Sequence, residues 1–195
     1  MNIIVGILSL LISIKYPQKP KEGFFRQMLK ECNLVYSPPS EYIGCDTFLN
    51  INYNSLGVSH TVIRHGLKSI KDSIFIGIAL SKINTNDNLR LKGFPGPTGK
   101  QWDANENFYP AYKVPYKLYN EKYVSQNFNG DIAGIYEFKL NPKYPFMKKY
   151  SNCLIVFVHK NNIADFEVIY CYNDDSKNKI EKLIAQTKTI LKFRS

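Results

Sequence analysis

Arginine is scarce in this chain. Of 26 basic residues only Arg26, Arg64, Arg90 and Arg194 are arginine, and the rest are lysine. The formal net charge is nonetheless +10. Such a charge attracts polyanions, because neutralised phosphates release counterions. Nucleic-acid readers, however, favour the bidentate arginine fork. Lysine-heavy charge beside abundant Asn, Ile and Tyr is what AT-rich codons and a solvated surface supply. A basic nucleic-acid-binding module is therefore an alternative reading, not the leading one.

Long apolar runs are also missing. Ile3–Ile14 is an apolar run of 12 residues, interrupted only by Gly6, Ser9 and Ser13. A bilayer-spanning helix needs about 18 or more, so no transmembrane span is expected beyond an N-terminal anchor. The run has the length of a signal-peptide h-region. No Lys or Arg precedes it, and no A-x-A-like site follows it. An export signal is the adopted reading; a buried first strand or helix and an uncleaved anchor are the alternatives. Pro17–Glu22 reads as the linker that follows.

Few residues of metal or redox chemistry are present. The four cysteines, Cys32, Cys45, Cys153 and Cys171, make no C-x-x-C spacing, which leaves zinc and thioredoxin-like readings unsupported. An even number fits an oxidising compartment without requiring one. His60 and His65 point to opposite faces of a strand and lie about 140° apart on a helix, so they form no metal site. No metal or cofactor is expected. No G-x-S-x-G, H-E-x-x-H or paired-carboxylate motif occurs. Gly93–Lys100 mimics a phosphate loop. Its glycine spacing is one residue too long, Gln101 stands where magnesium needs Ser or Thr, and Pro95 and Pro97 lack N–H groups. It reads as a turn-rich loop. An enzyme is disfavoured but stays open, because catalytic groups can converge from distant positions.

What is present suits one ordinary domain. The 195 residues, 44% of them hydrophobic and 14% aromatic, exclude disorder, collagen and a multi-span membrane protein. Residues 1–22 are counted as leader and linker, and 23–195 as a single domain. Gly23–Leu34 has helical apolar spacing. The segment with Ser37-Pro38-Pro39-Ser40 must be extended. Phe48–Tyr53, Val58–His65 and Ile70–Ser81 read as strands, the last with Ile74, Ile76 and Ile78 on one face. A helix is expected around Asn120–Asn127 and a strand over Ile132–Leu140. Asn173–Ser176 should cap a final helix whose apolar stripe is Ile180, Leu183, Ile184, Thr187, Ile190 and Leu191.

Cys153–Lys160 and Asp165–Tyr172 form the clearest hairpin. Centring its turn on Asn162 pairs Val158 with Phe166, Val156 with Val168 and Leu154 with Tyr170, which makes one face wholly apolar. The other face then pairs His159 with Asp165, Phe157 with Glu167, Ile155 with Ile169 and Cys153 with Cys171. A one-residue slip mixes the two faces. This register makes Cys153 and Cys171 near neighbours and candidates for a cross-strand disulfide. It makes His159 and Asp165 the candidate acid–base dyad of a small hydrolase, set against an exposed ion pair worth under about 1 kcal/mol. The stretch 139–160 carries Lys139, Lys143, Lys148, Lys149 and Lys160 without an acid. These are the candidate anion contacts, with Tyr144, Phe146 and Tyr150 interleaved.

Several segments together resemble a family of uncharacterised exported proteins from Bacteroidetes. They are Tyr36-Ser37-Pro38-Pro39-Ser40-Glu41-Tyr42, Phe128-Asn129-Gly130-Asp131-Ile132-Ala133-Gly134, Tyr150-Ser151-Asn152-Cys153 and His159-Lys160-Asn161-Asn162-Ile163-Ala164-Asp165. A hairpin and closing helix follow. The chain departs from the family at Ile132, where tryptophan is usual. The resemblance implies an α/β sandwich similar to the PsbP-like fold of photosystem extrinsic proteins, and it implies no reaction.

The reading is therefore an α+β domain: a mainly antiparallel sheet with N-terminal and C-terminal helices packed on it. The expected role is a non-enzymatic exported, periplasmic or envelope-associated protein that binds a protein or surface ligand. A cytoplasmic location is the alternative.

Overall fold

The computed structural model describes residues 22–45, 63–83, 115–140 and 149–195. Readings that fall on the remaining residues lie outside this description. They are the leader and its linker up to residue 21, Phe48–Tyr53, residues 58–62 of the next expected strand with His60, the loop with Gly93–Lys100, and Lys143, Tyr144, Phe146 and Lys148.

The chain is α+β. Helix α1 covers Glu22–Glu31, close to the expected span. Cys32 N–H still reaches Met28 O, and Asn33 then adopts φ 54°, the left-handed conformation that ends many helices. Strands β1 (Leu34–Tyr36) and β2 (Tyr42–Gly44) flank the diproline segment, which turns through a bond from Tyr42 N–H to Pro39 O. Strand β3 (Ile63–Ser69) overlaps the expected Val58–His65 at Ile63–His65 and runs on to Ser69; residues 58–62 lie outside the described residues. Strand β4 (Phe75–Lys82) starts later than Ile70, because Ser69 closes a turn: its Oγ accepts from the N–H groups of Lys71 and Asp72. Ile74, Ile76 and Ile78 do share one buried face.

Strand β5 (Tyr116–Leu118) was not foreseen. Helix α2 (Glu121–Phe128) starts at Asn120, whose side chain accepts from Tyr123 N–H at 2.8 Å. Strands β6 (Ile132–Lys139), β7 (Asn152–Lys160) and β8 (Ala164–Tyr172) follow. A 3-10 turn at Asp174–Ser176 leads into helix α3 (Lys177–Ile190). The expected cap is different here: Asn173 and Ser176 make no capping side-chain bond to the helix. Asn173 instead accepts from Ser151 N–H and donates to Lys149 O, tying down the entry to β7. Leu191, expected on the helical stripe, opens strand β9 (Leu191–Phe193).

Seven strands form one sheet in the order β2-β3-β4-β8-β7-β6-β5, and every pairing is antiparallel. β1 and β9 pair antiparallel as a small separate sheet. The β7–β8 register matches the sequence expectation at every pair named above, from His159–Asp165 to Cys153–Cys171. Asn162 turns the hairpin with φ 60°, and Ile163 N–H bonds to Lys160 O.

The three α-helices among the described residues pack on the same sheet face. Phe25 of α1, Phe128 of α2 and Leu183 of α3 meet Ile76, Ile78, Val156, Val168 and Tyr170. Each such side chain contributes about 1.5–3 kcal/mol by leaving water. The opposite face holds Phe75, Cys153, Ile155, Phe157, Ile169 and Cys171 and is buried as well. Both faces of the central strands are therefore dry, and all nine residues of β8 are buried.

Candidate functional site

The hairpin end holds the expected dyad, but not on an exposed face. His159 is 2% exposed and Asp165 7%. Nδ1 of His159 lies 2.6 Å from Asp165 Oδ1, and Nε2 lies 3.1 Å from Asn161 Oδ1. Both ring nitrogens are thus engaged within the hairpin, an arrangement that ties Asn161 of the turn to the strand end.

The cysteines face each other across the central strands. Ile83 N–H bonds to Ile163 O, which fixes the alternation along β4–β8 and directs the Cys171 backbone toward Phe75 of β4. Cys153 and Cys171 are consequently a non-hydrogen-bonded pair, the closer kind of cross-strand neighbour. All four cysteines are in the thiol form. Burial pushes the Cys153 thiol well above its ordinary range, and the contact with Cys171 adds to this.

The three described lysines of the 139–160 stretch are not gathered into one patch. Lys139 sits at one end of the β6–β7 ladder and Lys160 at the other, roughly 25 Å apart at about 3.3 Å per residue. Lys139 is 3.2 Å from Asp174. Lys160 donates to Asn129 O at 2.7 Å and lies over the Phe193 ring. Lys149 is near the Lys139 end, where its carbonyl accepts from Asn173.

A different group of residues does converge. A cleft of about 870 Å³ opens between α1, β1, β2 and β3. Arg26 and Lys30 reach it from one side of α1, Arg64 from β3, and Arg194 from just beyond β9. Three of the four arginines of the chain line this one cavity, and among its described lining residues there is no acid. Phe25, Leu29, Leu34, Tyr42 and Leu67 give it an apolar lining. One wall is a ring cluster, in which Phe25 stacks on His65 at 4.4 Å while Tyr36 meets both edge-on.

The donors in this cleft are incompletely satisfied. Nε of Arg64 and the hydroxyl of Tyr36 are buried, and no protein group among the described residues pairs with either. A buried donor left unpaired costs about 1–3 kcal/mol, more for a charged group. Burial raises the Tyr36 hydroxyl well above the usual phenol range, so it is a donor at neutral pH. Arg194 spends its Nε on Leu34 O at 3.3 Å, which orients the guanidinium. The Arg64 guanidinium lies 5.7 Å from the centre of the Phe24 ring. Pre-oriented guanidinium forks beside an apolar lining suit an anion with an apolar body.

Sequence reasoning missed this site. Its residues lie at positions 25–44, 64–67 and 194, a separation that no spacing rule joins. The available signal was the scarcity of arginine itself, which was weighed only against nucleic-acid binding.

No family model matches the chain, and no curated protein matches it. Among solved structures it is similar to cyanobacterial PsbP from Synechocystis, known from a solution structure. The identity is 10%, the TM-score 0.40, and the match covers 84% of this chain and 88% of that one. Among the described residues no helix is long and apolar enough to cross a membrane.

Proposed function

We propose that this protein is a non-enzymatic binding protein, exported or envelope-associated, whose α1–β3 cleft holds an anionic ligand. The convergence of Arg26, Arg64 and Arg194 on one cavity carries the reading. Scattered lysines keep a protein soluble, whereas arginine offers a rigid fork matched to carboxylate and phosphate oxygens. The test is thermal unfolding with phosphate, pyrophosphate and citrate, on the intact protein and on Arg194→Gln. Binding to the folded state raises the midpoint with concentration, by roughly 3 kcal/mol of stability at a hundred times Kd. The expected result is a rise that the variant loses. Equal rises in both proteins, or none in either, would refute the reading.

Export is supported by the hydrophobic run at Ile3–Ile14 and by the in-register pair Cys153–Cys171. In an oxidising compartment these thiols would form a disulfide during folding, giving up two protons and passing two electrons to a thiol–disulfide oxidant. N-terminal sequencing of protein from fractionated cells, with non-reducing mass measurement, tests this. A mature terminus beyond Lys15 and a mass two hydrogen atoms lighter are expected. An intact Met1 in the cytosol with four thiols would rule export out.

A further inference from the structure

We infer that the cleft recognises an amphiphilic phosphate monoester, with the phosphoryl group among Arg26, Arg64 and Arg194 and the alkyl or aryl body on Phe25, Leu29 and Leu67. This rests on the anion-site reading above and narrows it to a ligand class.

Three features select that class. The first is charge. Lys30, Arg64 and Arg194, with Arg26 beside them, bring positive charge to one cavity whose described lining has no acid. A single carboxylate would match only part of the charge of Lys30, Arg64 and Arg194. A phosphate monoester carries about −1.5 to −2 at neutral pH and three acceptor oxygens, enough for several forks at once. The second is size. About 870 Å³ falls within the range of roughly 300–1,000 Å³ typical of organic-ligand pockets and far exceeds a free phosphate ion. The third is the division of the lining. The arginines and Lys30 supply charge, while Phe25, Leu34, Tyr36 and Tyr42 supply apolar and ring surface on the same cavity. Tyr36 and Arg64 also line this cavity, and the Tyr36 hydroxyl and Arg64 Nε are buried donors with no described protein partner. A ligand whose polar head joins an apolar body would satisfy both.

The test is calorimetric titration of the full chain with monomeric decyl phosphate, phenyl phosphate, inorganic phosphate and decanol. Decyl phosphate should bind one to one, at least tenfold more tightly than inorganic phosphate or decanol. The exposed-site variants Lys30→Gln and Arg194→Gln should each weaken it severalfold while leaving the circular dichroism spectrum unchanged, and Arg64→Gln should weaken it further. Because Arg64 is half-buried, the two exposed variants keep the test informative should that third one misfold. Inorganic phosphate binding as tightly as decyl phosphate, in an arginine-dependent way, would overturn the amphiphile and leave the anion site standing. Decanol binding as tightly, or no arginine-dependent binding at all, would overturn both. Phosphatidylcholine vesicles with and without phosphatidic acid separate the sources. Arginine-dependent capture by the acidic vesicles assigns a lipid headgroup. Binding of phenyl phosphate without vesicle capture assigns a soluble monoester.

Discussion

Burial sets the chemistry of individual side chains in this protein. Cys32 is fully buried, and that burial, followed by the nearby charge of Glu31, raises its thiol to about 11. Cys153 is raised by burial too. Thiolate is the reactive form, so these sulfurs are inert at neutral pH in the folded, reduced protein. Cys45 is the only cysteine with partial exposure. In the reduced protein an aromatic disulfide reagent should therefore label Cys45 first, and Cys32, Cys153 and Cys171 only at the rate of unfolding. Peptide mapping of the labelled sites checks this; rapid native labelling of Cys153 would contradict the packing. The cysteine pairing itself was legible in the sequence, because alternation of Val156, Val158, Phe166 and Val168 permits one register. The buried state of His159 and Asp165 was not. It depends on the second face of the sheet being covered, which no pattern within the hairpin reveals.

Among the elements, helix α3 shows how a stripe of apolar residues can hide a polar contact. Thr187 is fully buried, and its hydroxyl lies 2.7 Å from the Tyr170 hydroxyl of β8. Tyr170 has only a longer second acceptor, Leu183 O at 3.4 Å. Replacing Thr187 with Val keeps the shape and removes the partner. The expected cost is about 1–2 kcal/mol, read as a lower urea midpoint at unchanged slope, with Thr187→Ser close to the parent. The helix itself, like α2 with its Asn120 cap, could be read from spacing and capping chemistry. Its end could not. Leu191 fits the helical stripe, yet it takes φ −150° and ψ 129° because β1 offers a strand partner. Strand pairing between Leu34–Tyr36 and Leu191–Phe193 joins distant segments, and three-residue strands leave little alternation to detect.

The whole molecule carries its charge in two ways. Most of the basic residues are lysines, and the described ones are spread over the surface, where salt screens them within about 10 Å. A small part is arginine concentrated on one cavity. These should separate experimentally. Retention on a heparin column reflects the total charge, so Lys30→Gln with Arg194→Gln, two of 26 basic residues, should lower the eluting salt only slightly. The same pair of changes should remove the thermal response to phosphate or pyrophosphate. A collapse of heparin retention would instead make the cleft the polyanion site and tie the two properties together.

The link from Arg194 to Leu34 also has a consequence in time. Its two ends lie 160 residues apart in the chain. Synthesis at about 5–20 residues per second puts roughly 10–30 s between the appearance of the first wall of the cleft and that of the last. During that interval Phe25, Leu29 and Leu34 have no β9 beside them, and the nascent chain shows an apolar helix without its closing strand. A growing polypeptide can thus complete most of its central sheet before the last wall of the cleft exists. Among the described elements, the strand that closes this cleft is the last to be made.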